Sequence, residues 1–455
     1  MQRKSNKRSG HRNTSSHSAM GSTAWGVLES FSSVTSTLRA AQTVLGGEDY
    51  TTPQLNKSLH ALWLEPVQQF SASDSGRDND LLATSLGDFE VVVGNEPPNV
   101  KFDVEGEEEE EEAKEEAENL GIHVPEWEEE LNPDEWQSFF DEDGVIRDEE
   151  ILRKRIFYGG VDPTIRIEVW KFLLNFYPFS SSFESRSVIR SQKREEYGVY
   201  KRQWTSITAE QESHFEKFRK RKHIIQKDVV RTDRNLEFYS ESNENLKLIN
   251  DILLTYSFFH FDLGYVQGMN DLLSLNLFIM RDEADAFWCF KALMDKLQAN
   301  FHKDQRGMHT QLLQLANLIK CMDRRFYNYL EQRDCLNMFF CFRWLLIHFK
   351  REFAYEDIPR LWEAMWAQQL SPHFHLFVAL AILLKHKKVI MKNDMSFDDI
   401  LKYINNLAGK MDVHQVLHDA EYLVHKFNKL HMEEIAEVFA VEPPSSKRTT
   451  SILRK

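Results

Sequence analysis

Two polar segments stand out because they sit inside apolar surroundings. The first is Ile225-Gln226-Lys227-Asp228-Val229-Val230-Arg231-Thr232-Asp233-Arg234. It closes a helical run and enters a polar loop, a place from which Arg231 can be aimed outward. A guanidinium is a planar fork able to contact two oxygens of one anion, which an ammonium cannot do. Asp228 lies one helical turn before Arg231, and an i, i+3 pair can hold that fork in one orientation. The second segment is Gly264-Tyr265-Val266-Gln267-Gly268-Met269-Asn270-Asp271. The Gln267 amide can accept a hydrogen bond from water while donating another to backbone or to an anion. Gly268, lacking a side chain, lets another backbone approach closely. Asn270 is placed to hydrogen-bond within the loop that carries Gln267.

Other chemistry is excluded by what the chain lacks. There is no phosphate-binding loop of the form G-x-x-x-x-G-K-[ST], no G-x-G-x-x-G, no H-E-x-x-H and no G-x-S-x-G. Nothing in it hydrolyses nucleotide unaided. The 17 histidines are scattered, and His373 with His375 has no third ligand nearby in sequence, so no metal is expected. Cys289, Cys321, Cys335 and Cys341 form no C-x-x-C pair and sit in apolar, helix-like stretches away from any His cluster. They read as buried small hydrophobes in a reducing compartment.

The elements that must position the two segments follow from patterning. Residues 150–430 contain only four prolines and seven glycines, too few turns for a sheet protein of this size. Leu246, Ile249, Leu253 and Tyr256 mark one helical face, and Leu312, Leu315, Leu318 and Ile319 another. Thr208 with Gln211 has the form of a capping box before a helix through Phe218. Asn132-Pro133-Asp134-Glu135 supplies an N-cap, a proline at the first helical position and acids in the first turn. The fold class is all-α, with a dozen or more helices.

Five stretches are expected. Residues 1–23 are a basic, Ser-rich disordered segment with no secretory h-region. Residues 24–45 form an amphipathic helix with Trp25, Leu28, Phe31, Val34, Leu38, Ala41 and Leu45 on one face and mainly Ser and Thr on the other. Residues 46–125 are a disordered linker that ends in the acidic run Glu105 to Glu118. Residues 126–437 are the helical domain with its leader helix, and 438–455 a disordered tail. The net charge of −15 argues against nucleic acid, because no counterions are released when an acidic chain meets a phosphate backbone. The apolar runs at Met338 to Phe349 and Phe374 to Leu384 fall short of the roughly 20 residues that span a bilayer. Membrane contact, if made, is peripheral and through residues 24–45, which resemble a lipid-packing sensor. A helix that docks on the domain or on a partner is the alternative.

The two polar segments resemble the signature motifs of the TBC-domain Rab GTPase-activating proteins, I-x-x-D-x-x-R and Y-x-Q. Gly159-Gly160-Val161, Arg166 and Trp170 are similar to that family's first block. Phe342-Arg343-Trp344-Leu345-Leu346, Phe349-Lys350-Arg351-Glu352-Phe353 and Leu361-Trp362-Glu363 are similar to its C-terminal block. The wording GYVQGMNDL, FCFRWLLIHFKREF and DVVRTDR is similar to TBC domain family members 15 and 17. The resemblance implies a two-lobed TBC domain with a V-shaped groove, and an activator of GTP hydrolysis that is not itself the hydrolase. Arg231 and Gln267 would act in trans on a late-endosomal or lysosomal Rab. Asp228, Asn270, Arg166 and Tyr265 would position them, and Arg166 with Trp170, Arg343, Trp344 and Trp362 would serve the fold. No cofactor is expected in this chain; GTP and Mg²⁺ belong to the partner. Relatives of that group carry a membrane-linked domain before the TBC domain. This chain is expected to hold only the connecting segment, as a short form acting in the cytoplasm or peripherally on endolysosomal membranes. There Asp88-Phe89-Glu90-Val91-Val92, through Phe89 and Val92, has the form that adds a strand to ubiquitin-like autophagy modifiers. A TBC scaffold that binds a Rab without catalysis is the rival reading, and a membrane adaptor with no GTPase partner is a third.

Overall fold

A computed structural model describes residues 116–125, 127–240 and 244–439. The expectations for residues 1–23, the helix at 24–45, Phe89 and Val92, the linker 46–115 and the tail beyond 439 lie outside the described residues. Among the described residues the chain folds into seventeen α-helices and no sheet, with two isolated bridges, Leu131 to Val161 and Phe140 to Ile146. The fold is all-α. No helix among the described residues is long and apolar enough to cross a membrane.

Local signals set many boundaries. α1 (Pro133–Ser138) starts where the Asn132 carbonyl oxygen of the side chain accepts the Glu135 N–H at 3.0 Å. α2 (Glu149–Gly159) is capped by Asp148, and α3 (Arg166–Leu173) follows after the Gly159-Gly160 turn. α4 (Phe183–Thr205) is the longest helix, capped by Ser182. The Thr208 box forms with both hydrogen bonds, but it opens only the short α5 (Ala209–His214). The expected continuous helix to Phe218 breaks at Phe215, whose backbone leaves the helical region at φ −102°, ψ 75°. Its ring packs with Phe218, Phe258 and Phe261. α6 (Glu216–Arg231) then begins as a separate helix.

The remaining helices are α7 (Asn245–Phe259), α8 (Met269–Met280), α9 (Glu283–Phe301), α10 (Arg306–Met322), α11 (Arg324–Gln332) and α12 (Phe342–Leu346). After them come α13 (Ile358–Ala367), α14 (Phe374–Lys392), α15 (Phe397–Asn405), α16 (Val413–Leu430) and α17 (Ile435–Val438). They fall into two packed sets. In one, α7 lies against α4, α6, α8 and α9. In the other, α14 lies against α10 and α16, with α13 on α16, α2 and α3. α3 also touches α8, and α9 touches α10 and α12, so the sets share contacts.

Within the second set, α3 and α13 are joined by aromatic rings and one buried carboxylate. The Trp170 ring lies 4.7 Å from Trp366 and 6.2 Å from Trp362. Glu363 is fully buried and accepts from Arg166 Nε at 2.6 Å, Trp170 Nε1 at 2.9 Å and the Val161 N–H at 3.1 Å. Burial pushes its carboxyl up and Arg166 pulls it back. A buried carboxylate with three donors is costly to delete, because the donors stay behind unpaired. Glu363→Ala is expected to lower unfolding free energy by about 3–5 kcal/mol, and Glu363→Gln by less, read from urea denaturation midpoints. A loss below about 1 kcal/mol for alanine would mean water replaces the carboxylate freely.

Both ends of the domain reach further than the sequence patterning suggests. Residues 116–120, expected in the disordered linker, form a helical turn ended by Gly121 at φ +57°. Glu116 pairs with Lys426 at 2.6 Å and accepts from the Tyr422 hydroxyl at 3.0 Å, and Lys429 donates to the Leu120 carbonyl. The acidic run therefore ends by neutralising the cationic face of α16. At the other end Val438 is buried, and the Phe439 ring stacks on His373 at 4.3 Å. Cys289, Cys335 and Cys341 are buried, whereas Cys321 is only partly so.

Candidate functional site

α6 ends at Arg231 because Thr232 turns extended, at ψ 119°, and its hydroxyl donates back to the Asp228 carbonyl at 2.8 Å. Arg231 thus occupies the last helical position and is about one-third exposed. Its Nη2 donates to Asp228 Oδ1 at 2.8 Å, the i, i+3 pair expected from the spacing. Asp228 itself is nearly buried.

The second segment forms the approach to α8. Gly268 caps that helix with φ +96°, a conformation that favours glycine. A Cβ there would also lie 3.1 Å from Ile347 Cγ2. Gln267 is partly exposed and directly precedes this turn. Among the described residues its side-chain amide has no hydrogen-bond partner.

One network ties the two segments together. The buried Tyr265 hydroxyl donates to Asp228 Oδ2 at 2.6 Å, with Asn270 Oδ1 3.1 Å away. Asn270 Oδ1 accepts the Gly268 N–H at 3.1 Å, and its Nδ2 donates to Thr232 Oγ1 at 3.0 Å. Asp228 therefore holds Arg231 with one oxygen and the Gln267 segment, through Tyr265, with the other. Burial first, and then the Asp228 charge, raise the phenol well above its ordinary value, so Tyr265 stays a donor. Removing that donor leaves a buried carboxylate oxygen short of a partner. Tyr265→Phe is expected to cost about 1–3 kcal/mol in chemical denaturation. An unchanged midpoint would show that the Asp228 network does not depend on it.

A further layer was not legible in the motifs. Lys350, at the turn after α12, donates to Asp233 Oδ1 at 2.6 Å and Oδ2 at 2.7 Å, clamping the loop after Arg231. The next residue, Arg351, grips Asp271 with a fork at 2.8 and 3.1 Å, clamping the first turn of α8. Asp271 raises the Arg351 guanidinium further, so this pair stays ionised. Glu352 takes Arg343 at 2.7 and 2.9 Å. Three consecutive residues thus brace both segments and the helix behind them. The run Phe349-Lys350-Arg351-Glu352-Phe353 was visible in the sequence; the partners of Lys350 and Arg351, 117 and 80 residues away, were not. Arg166, given from sequence both a positioning role and a role in internal pairing, bonds to Glu363 and the Val161 carbonyl. It shares no hydrogen-bond partner with the Asp228 network.

Comparison with known proteins agrees with this architecture. Residues 163–391 match the RabGAP-TBC family, described as the Rab-GTPase-TBC domain. The chain belongs to the Rab-GTPase-TBC domain family. It is 41% identical over 322 residues to "TBC1 domain family member 17" of Mus musculus, covering 70% of this chain and 50% of that protein. It is 35% identical over 436 residues to "GTPase-activating protein GYP7" of Yarrowia lipolytica, covering 89% of this chain and 58% of that protein. The chain thus spans about half the length of the curated relatives it matches. Among solved structures the Ypt/Rab-GAP domain of Gyp1p superposes with a TM-score of 0.57 at 21% identity, covering 64% of this chain and 96% of that one. That likeness speaks to the fold.

Proposed function

We propose that this chain is a GTPase-activating protein for a Rab-type small GTPase, to which it supplies Arg231 and Gln267 in trans. The observation that carries the reading is the Asp228 carboxylate. It fixes the guanidinium on one oxygen and, through Tyr265, the Gln267 segment on the other. Two partly exposed polar residues are thereby tied to one buried anchor, Arg231 directly and Gln267 through its segment.

The chemistry follows from charge. In phosphoryl transfer to water, negative charge builds on the oxygens around the transferred phosphorus. A guanidinium placed there neutralises it, and an arginine finger is worth about 10³ to 10⁵ in rate. The amide of Gln267 accepts a hydrogen bond from the attacking water and donates one to the phosphate or the partner's backbone. Asp228 orients and does not transfer a proton. GTP and Mg²⁺ reside on the partner. By resemblance the substrate is a late-endosomal or lysosomal Rab, met at the cytoplasmic face of such membranes.

The test is single-turnover GTP hydrolysis across a panel of Rab proteins. One Rab accelerated by about a hundredfold or more supports the reading and names the substrate. No acceleration of any Rab, with GTP-dependent binding intact, replaces it with a scaffold that binds without catalysing.

A further inference from the structure

Cys321, His431 and Glu434 come together at a surface that no part of the proposed activity uses. Cys321 lies in the last turn of α10. His431 follows α16, and Glu434 closes the short turn that leads into α17. Cys321 Sγ and His431 Nδ1 each lie 3.1 Å from Glu434 Oε2. All three ligand atoms lie within 4.8 Å of one another. We infer that these three side chains form a binding site for a zinc-class divalent ion, with the fourth position open to solvent.

The distances carry the inference. With zinc bond lengths of about 2.3 Å to sulfur and about 2.0–2.2 Å to nitrogen and oxygen, the atoms of one tetrahedral face stand roughly 3.3–3.6 Å apart. The two distances of 3.1 Å are a slightly contracted version of two such edges. The third edge, from Cys321 Sγ to His431 Nδ1, is within 4.8 Å, and side-chain movement closes it around the ion, with Glu434 exposed and able to move. The donor set, one thiol, one imidazole and one carboxylate, selects a borderline-soft ion over Mg²⁺ or Ca²⁺, which prefer oxygen alone. Three protein ligands with one open position is a recognised zinc arrangement.

Without metal the Cys321 thiol donates to the Glu434 carboxylate at 3.1 Å. A cation entering between them displaces that proton: the S–H bond breaks, the sulfur–metal bond forms, and one proton leaves to solvent. Thiolate and carboxylate then balance the two charges of the ion.

The consequence is a clasp on the end of the domain. Phe439 is held by its stacking on His373 and by Gln314 Nε2, which donates to its carbonyl at 3.2 Å. Metal at Cys321 would join the start of this segment to the same helix, α10.

The experiment is a Co²⁺ titration of the full chain under reducing conditions, read by absorbance, with Zn²⁺ as competitor. The expected result is a thiolate-to-cobalt charge-transfer band that saturates at one equivalent and is abolished by Zn²⁺. Cys321→Ser should remove the band. His431→Ala and Glu434→Gln should each weaken binding at least about tenfold. Calorimetry in two buffers should find about one proton released per ion. Because the other three cysteines are buried, a band that persists in Cys321→Ser would place the metal elsewhere and overturn the inference. No band in the wild type, or affinity unchanged in both other variants, would do the same. None of these substitutions touches the Asp228 network, so Rab activation is expected to be unaffected.

Discussion

Arg231→Ala is expected to remove nearly all activation of the cognate Rab, a loss of about 10³-fold or more in single-turnover rate. That corresponds to at least about 4 kcal/mol of transition-state stabilisation. Arg231→Lys is the more telling variant, since it keeps the charge and loses the fork. An ammonium offers point-like donors on a flexible stem, whereas the guanidinium spans two oxygens in one plane. Lysine should therefore recover only a small part of the rate, while binding to the GTP-loaded Rab changes little. Asp228 matters here because it takes one Nη2 hydrogen bond at 2.8 Å and limits the rotamers available to the side chain. A lysine variant that matches wild type would show that bulk positive charge is enough and would sink the finger geometry.

Gln267→Ala is expected to lower the same rate by about 10² to 10³-fold, the usual loss when one preorganised polar group aimed at a transition state is removed. This prediction separates chemistry from folding with unusual clarity. The amide has no hydrogen-bond partner among the described residues, and the residue is partly exposed. Its removal should change stability by no more than about 0.5 kcal/mol. Asn270→Ala should behave in the opposite way. Its side chain serves the Gly268 N–H, the Tyr265 hydroxyl and Thr232 at once, so its loss destabilises the domain and lowers the rate only through the displaced loop. If Gln267→Ala instead unfolds at markedly lower denaturant while retaining full single-turnover activity, the residue is structural and the water is oriented by the partner.

Much of this organisation was written along the chain. Helical faces, the caps at Asn132 and Thr208 and the i, i+3 relation of Asp228 to Arg231 are local features. Each depends on residues within a turn or two, and periodicity or spacing displays it directly. The all-α class followed from the same signals, and the two motifs located the residues with chemical potential. What the chain alone did not reveal was how those motifs meet. The link from Tyr265 to Asp228 spans 37 residues, and the braces from Lys350 to Asp233 and Arg351 to Asp271 span 117 and 80. One sequence carries no trace of which acid answers which base at such separations, because the pairing is decided by helix packing.

The same limit explains the departures. Phe215 carries no breaker residue, yet the helix turns there so that its ring can join Phe218, Phe258 and Phe261. Glu116 reads as part of a self-repelling acidic run, and α16 gives that charge a partner in Lys426. Cys321 reads as one more apolar-helix cysteine until the turn after α16 brings His431 and Glu434 beside it. Secondary structure and the candidate chemistry were determined by short-range propensity and spacing. Which charges are neutralised, which side chains are held still and which are left partly exposed was decided by the tertiary fold, where burial makes each unpaired polar group costly.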